Sequence, residues 1–354
     1  MQMMRFENKK KYLQEYNGKP LNLMEVCGSH TAAISKYGVR DILSEQINLI
    51  SGPGCPVCVT PTAYIDRLIE LAMEDKCTVV TFGDLMRVPG SVRSLGQARS
   101  QGAKVTMVYS PMDTLKLAEG NPHMQYVFAA VGFETTAPVY ALLLEEIIKN
   151  KIPNIRLLTA IKTMPPIIHE LLSQRVDNTA GQIDGFIAPG HVCAVMGSDI
   201  FIHTAHRFRV PFAVSGFGGE ELIDAIYGLV KMCEDGRYDV ENYYLSVVNN
   251  KGNLIAQEKM NKYFVPYDCV WRGMGVVKAS GLMLRDEYTV YDAGSIGLNQ
   301  DIHINRACRC GEILSGTAKP SDCPLFGRIC TPDNPQGACM VSMEGSCYHS
   351  YRNS

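Results

Sequence analysis

Cys55 and Cys58 lie three residues apart in the run Ser51-Gly52-Pro53-Gly54-Cys55-Pro56-Val57-Cys58, with Thr60 and Pro61 behind them. A Cys-x-x-Cys pair can be half of a metal site, a dithiol/disulfide couple or a structural pair, and spacing alone leaves the three open. Two glycines and two prolines make the loop tight and stiff. The apolar run from Ile47 to Ile50 reads as a buried strand, and Tyr64, Leu68, Leu71 and Ala72 recur at helical spacing. Both thiols are therefore expected at the mouth of a helix, where the N-terminal dipole favours a thiolate.

A second set of thiols lies near the end of the chain. Of 13 cysteines, six fall in one tail segment: Cys308, Cys310, Cys323, Cys330, Cys339 and Cys347. Four suffice for a cubane iron–sulfur cluster. The spacing is neither the C-x2-C-x2-C of bacterial ferredoxins nor the paired C-x2-C of a zinc ribbon. An iron–sulfur cluster is the favoured reading, with zinc the alternative. Beyond Ala307, Cys, Gly and Pro replace regular periodicity, and such a segment needs a metal to hold it.

Other chemistry-bearing residues follow predicted strands: Cys27 and His30, Asp84 and Arg87, Glu134 and Thr135, and His191. In open α/β sheets, sites form beyond the carboxyl ends of strands. Cys27 with His30 could pair a soft ligand with an acid/base group, or be a buried thiol beside a capping histidine. Glu134 suits a general base or an acceptor for an ordered ligand; equally, it could complement a helix N-terminus. His191, behind Pro189-Gly190, could donate a proton or merely bond loop carbonyls. Cys77, Cys233 and Cys269 read as packing residues. His203 and His206 share a helical face without a companion glutamate motif, so zinc is not inferred there. No Gly-x-Gly-x-x-Gly or Walker loop marks a nucleotide site.

The elements that must position these residues alternate strand, loop, helix. Leu21 to Val26, Ile47 to Ile50, Thr78 to Phe82 and Lys104 to Tyr109 are strands; Gln125 to Val131, Asn154 to Ile161, Gly185 to Ala188 and Val210 to Val214 continue the series. Alternation of this kind predicts parallel sheets with helices on their faces. The expected fold is α/β: a first lobe over residues 1–122, a second over 123–240, and a C-terminal region over 241–354 that returns to the lobes and carries the tail thiols. Ser29 or Thr31 is expected to cap one helix, and Thr136 another with Pro138 in its first turn. Residues 242–260 read as helical.

Composition narrows the setting. The 354 residues are 46% hydrophobic and 20% charged with net charge −2, which gives no reason to expect nucleic acid or an anionic membrane as partner. The first sixteen residues lack the apolar core of a signal peptide, and the apolar stretch 141–148 is broken by Glu145 and Glu146. The cytoplasm is the expected compartment, where 13 cysteines should not form a disulfide framework.

Taken together, these stretches resemble the hydrogenase maturation factor HypD family. The residues that carry the likeness are Cys27-Gly28-Ser29-His30-Thr31, Gly52 to Cys58, Gly83 to Gly90, Gly132 to Thr136 and Pro189 to Val192, then Trp271-Arg272-Gly273 with Ser280-Gly281, and Asp322 to Gly327. The likeness runs from about residue 20 to 350. It implies two Rossmann-like lobes plus a cluster domain. It also implies a redox-active assembly scaffold rather than a metabolic enzyme. With a small HypC-like chaperone and a HypE-like cyanide donor, such proteins assemble the iron carrying two cyanides and one carbon monoxide for nickel–iron hydrogenases. By match, Cys27 would bind that iron and Cys55 with Cys58 would be the thiol pair of the cleft. The tail would hold a [4Fe–4S] cluster, with Cys310, Cys323, Cys330 and Cys347 chosen as ligands and Cys308 and Cys339 as spares. Glu134, Thr135 and His191 would orient the diatomic ligands. Two other readings stay open: a cluster-driven thiol–disulfide reductase acting on a partner protein, and a zinc-stabilised binding module.

Overall fold

A computed structural model describes residues 2–176, 182–302 and 305–353. Its strands are β1 (Leu21–Glu25), β2 (Ile47–Ser51), β3 (Cys77–Thr81), β4 (Val105–Met107), β5 (Gln125–Gly132), β6 (Ile155–Lys162), β7 (Gly185–Pro189), β8 (Phe212–Ser215), β9 (Val240–Asn242), β10 (Phe264–Trp271) and β11 (Gly275–Leu284). They form two sheets. One, in the order β2-β1-β7-β8-β9, is parallel throughout. The other has the order β10-β11-β6-β5-β3-β4, with β6, β5, β3 and β4 parallel and the hairpin β10–β11 antiparallel at its edge. The α/β class with parallel-dominated sheets matches the strand–loop–helix reading.

The strands are shared out differently from the expected lobes. The chain lays down β1 and β2, leaves to build β3 to β6, then returns so that β7 pairs with β1, Leu23 opposite Gly185. A boundary at residue 122 or 240 therefore separates neither sheet from the other. Alternation along a sequence reports that strands are parallel; it does not report which strand lies beside which. From the C-terminal region, β11 pairs with β6, Gly281 opposite Lys162.

Strands sandwiched between helix layers are apolar along their whole length. Every residue of β7 and β8 is buried. Phe186 of β7 stacks on Phe212 of β8 at 4.9 Å, and Phe201 stacks on Phe212 at 5.2 Å.

Local departures have identifiable causes. The helix Gly28–Lys36 is capped at Cys27 without a side-chain bond, because the two expected caps serve elsewhere. Ser29 donates to Glu344, and Thr31 donates to Glu25. Thr136 does precede the helix Ala137–Lys149, but its hydroxyl donates to the Phe133 carbonyl. Of 242–260, only the part within the helix Leu254–Tyr263 is helical. A turn intervenes at Gly252, whose φ is 71°, and Asn249 Oδ1 accepts from the Lys251 and Gly252 amides. The helix after the Cys-x-x-Cys loop starts at Thr62, so the two thiols occupy a turn of their own rather than the helix mouth. Among the described residues, no helix is long and apolar enough to cross a membrane.

Candidate functional site

Strands β1 and β2 are neighbours in register, Glu25 opposite Ser51, so the loops that leave them run side by side. The Gly52 amide donates to the Glu25 carbonyl at 2.7 Å, and the Gly28 amide donates to the Gly54 carbonyl at 3.0 Å. A Cβ on Gly54 would stand 2.3 Å from the Cys27 nitrogen and 2.5 Å from its Cα. Glycine at 54 thus permits the backbone of the Cys-x-x-Cys loop to touch the backbone at Cys27. Gly54→Ala should force the two loops apart and destabilise the fold by about 1–3 kcal/mol, the usual range for overpacking; the urea unfolding midpoint measures this.

Cys55 and Cys58 form a disulfide, Cα to Cα 5.2 Å, with the Cys58 amide donating to Cys55 Sγ at 3.1 Å. Both are buried, at 3% and 0% exposure. On the far side of the pair, Cys58 Sγ lies 3.8 Å from the carbonyl oxygen of Ala338, the residue before Cys339.

On the near side is a cleft of about 250 Å³, lined by loops from the carboxyl ends of strands in both sheets. Cys27 follows β1, Gly54 and Pro56 follow β2, Asp84 follows β3, Thr135 follows β5 and His191 follows β7; Glu344 enters from the tail. Of the chemistry-bearing residues singled out by sequence, Cys27, Asp84, Thr135 and His191 line this cleft. The His191 ring is solvent-exposed on one side and stacks on Phe217 at 4.0 Å; partial burial lowers its pKa. Burial pushes the Cys27 thiol up to about 12. A thiol held this high is a poor free nucleophile, and only a bound cation would make it a thiolate at neutral pH.

His30 and Glu134 lie behind the cleft wall. His30 is fully buried, its Nε2–H shared between the carbonyls of Ser215 (3.2 Å) and Gly216 (3.0 Å), and burial lowers its pKa to about 4. It is a neutral strut between the Cys27 loop and the end of β8. Glu134 accepts from the Met164 amide at 2.8 Å through Oε1, while Oε2 has no hydrogen-bond partner among the described residues. Cys193 is buried at 0% exposure, so it packs rather than opens to the cleft.

The tail thiols share one pocket. Cys308, Cys310, Cys323, Cys330, Cys339 and Cys347 line it together with Ile313, Phe326 and Met340. Cys310 opens the helix Cys310–Leu314, Cys339 sits in the turn Ala338–Met340, and Cys347 is in the helix Ser346–Arg352. Cys330 is pinned by its amide on the Leu325 carbonyl (2.9 Å), and its Sγ accepts from the Gln336 amide (3.3 Å). The four chosen ligands are all present, and the two spares stand with them, so the lining alone does not single out four. Hydrogen bonds from the Cys308 and Cys339 thiols hold the Cys310 thiol well below its ordinary range. Among the described residues, no three His, Cys, Asp or Glu side chains converge on a single metal-ion position. A cubane needs no such point, because each thiolate binds its own iron, and an apolar cage of soft donors suits that cluster.

The family model described as the hydrogenase formation hypA family, HypD, matches residues 4–354. The hydrogenase maturation factor HypD of Rhizobium leguminosarum bv. viciae is 44% identical over 332 residues, which is 92% of this chain and 86% of that protein. The HypD of Escherichia coli K12 is 43% identical over 339 residues, covering 94% of this chain and 90% of its own length. A putative hydrogenase expression/formation protein of Methanocaldococcus jannaschii is 40% identical over 339 residues, covering 94% and 92%. This chain belongs to the HypD family. It is similar throughout its length to hydrogenase maturation factors.

Two carboxylates of this HypD-family site escape a strand-end reading. Glu25 is the last residue of β1, within the run Leu21 to Val26 that the sequence reads as strand, and is fully buried; it accepts from the Cys27 amide at 3.1 Å and from the Thr31 hydroxyl, and burial raises its pKa to about 7. Its signal was the one charged residue in the run Leu21 to Val26. Glu344 reaches the cleft from a distant segment, with its pKa raised by burial, and no local pattern marks it.

Glu134 makes a pH prediction. Burial raises its pKa from 4.5 to about 7. The folded state then holds a proton that the unfolded state releases, so this contribution is fully present below pH 4.5 and is lost as pH rises through 7. Glu134→Gln should remove that loss, a difference of about 3 kcal/mol at pH 8, seen as a flatter stability profile in urea unfolding between pH 5 and 8.

Proposed function

We propose that this chain is the scaffold on which the Fe(CN)2CO centre of nickel–iron hydrogenases is assembled. Cys27 holds the iron, which is cargo. Cys55 and Cys58 pass electrons towards it, and the tail thiols hold a [4Fe–4S] cluster. The partners are a HypC-like small chaperone and a HypE-like cyanide donor, and the setting is the cytoplasm.

One observation carries this reading: three sulfur groups from distant parts of the sequence lie in series. The tail pocket's Cys339 adjoins Ala338, whose carbonyl is 3.8 Å from Cys58 Sγ. Cys58 is bonded to Cys55, and Gly54 rests on the backbone of Cys27.

A cluster in the tail would supply single electrons. The protein's own part is to take up two electrons and two protons as the Cys55–Cys58 bond opens to two thiols. A soft Cys27 thiolate suits low-spin iron. Thr135 and His191 line the cleft, and their role in this reading is to hydrogen-bond cyanide nitrogen on cargo iron. Glu134, held behind the wall by the Met164 amide, supports the loop that carries Thr135. Burial of both sulfurs counts against a reductase that attacks a disulfide on a partner protein, since the partner's sulfur would have to reach them.

Anaerobic purification with the small partner, followed by iron and sulfide analysis and infrared spectroscopy, tests the proposal. Four cluster irons with sulfide, plus cyanide and carbonyl stretching bands, support it. Protein with neither overturns it.

A further inference from the structure

Arg272 follows β10 at the start of the β10–β11 turn, and its side chain is completely buried. Its amide donates to the Val59 carbonyl at 2.9 Å, one residue beyond the disulfide. Nη1 donates to the Pro89 carbonyl at 3.1 Å. Nε and Nη2 have no hydrogen-bond partner among the described residues. The carboxylate closest in ion-pair range is Asp301, with Oδ1 3.9 Å from Nε, too long for a hydrogen bond. The same carboxylate also accepts from the Thr62 amide at 3.3 Å and the Gly273 amide at 2.6 Å.

A guanidinium stays charged at any pH a protein survives. Buried without a full set of acceptors, it is destabilising unless an anionic group lies close by. Asp301 is in ion-pair range at 3.9 Å, and on the cluster reading the thiolates of the adjoining tail pocket are a second negative group. Gly273 and Gly311 touch backbone to backbone: a Cβ on Gly273 would be 2.6 Å from Gly311 Cα, and one on Gly311 would be 2.1 Å from the Gly273 carbonyl oxygen. The turn that carries Arg272 is therefore seated on the helix that begins at Cys310.

We propose that Arg272 is a positioning residue that sets the charge of the tail pocket: its buried guanidinium offsets the negative charge of the gathered thiolates and makes the group they hold easier to reduce. This rests on the reading that the tail holds an iron–sulfur cluster. When a low-potential one-electron donor reduces that group, the pocket gains one negative charge. Arg272 makes and breaks no bond and releases no proton; it lowers the cost of the added charge.

The test is a redox titration of the full-length protein, loaded anaerobically and followed by visible absorbance and electron paramagnetic resonance, with iron and sulfide assayed alongside. Arg272→Gln should lower the midpoint potential by about 59 mV or more, a tenfold change in a one-electron equilibrium. Arg272→Lys, which keeps the charge, should recover most of that difference. An Arg272→Gln protein with full iron and an unshifted potential overturns the inference and leaves the cluster reading standing. Wild-type protein lacking iron and sulfide overturns both. If Arg272→Gln does not load, the double variant Arg272→Gln/Asp301→Asn is titrated, since it leaves no lone buried charge. Its potential should still lie below wild type, and an equal or higher value overturns the inference.

Discussion

Cys27→Ala should abolish the cyanide and carbonyl infrared bands of the protein purified with its small partner, while iron and sulfide in the tail stay at wild-type levels. Nothing else in the cleft can replace the lost sulfur. Asp84 and Glu344 offer hard oxygen donors, Thr135 a hydroxyl and His191 an imidazole. Low-spin iron with diatomic ligands prefers a soft thiolate over the oxygens. The fold should survive, because the bonds that fix this loop are made by backbone: the residue-27 amide to Glu25, and the Gly28 amide to Gly54. Loss of one small buried sulfur should cost about 1 kcal/mol. Cys27→Ser, with a hard and weakly acidic ligand, should lose the bands almost as fully. Undiminished bands in Cys27→Ala would remove Cys27 as the iron's ligand.

The second large effect is expected at Cys58. Cys58→Ser removes the sulfur closest to Ala338 and breaks the only pair in contact with both the tail and the Cys27 loop among the described residues. Assembly, read by the same bands, should fall to background, with both Cys27 and the tail cluster intact. The serine hydroxyl keeps the volume and can donate to the Ala338 carbonyl, so packing is retained. Losing a cross-link over so short a loop should cost about 2 kcal/mol of stability under oxidising conditions on loop-entropy grounds, and nothing once wild type is reduced. Bands that persist at wild-type intensity in Cys58→Ser would remove the pair from the path of the electrons.

How much of this was legible in the sequence depends on the range of the interactions involved. Strands and their order were readable because glycine and proline punctuate short apolar runs, as at Gly52-Pro53-Gly54 after Ile47–Ser51. Sheet membership was not, because β1 finds its partner β7 far along the chain. The thiols stood out by type and density, and the structure brings all six tail cysteines to one pocket. Spacing could not choose four of them, since they come from a mixture of short helices and turns that no single spacing describes. His30 and Glu134 were noticed as reactive types in loops, yet each serves the wall from behind: a side chain's direction depends on neighbours such as Ser215 and Met164 that no local pattern reveals. The same holds for Glu344 and Arg272, whose importance rests on contacts with remote segments.

Electron passage from the tail to the Cys-x-x-Cys turn can be measured without any cargo. Anaerobic protein is titrated with a one-electron reductant, quenched by alkylation, and its labels at Cys55 and Cys58 are counted by mass spectrometry, beside a Cys330→Ala protein depleted of tail iron. In wild type, both positions should become labelled as two electrons per chain are taken up, and in the depleted protein they should stay joined over the same interval. Opening of the Cys55–Cys58 bond at the same rate with and without tail iron would contradict the relay.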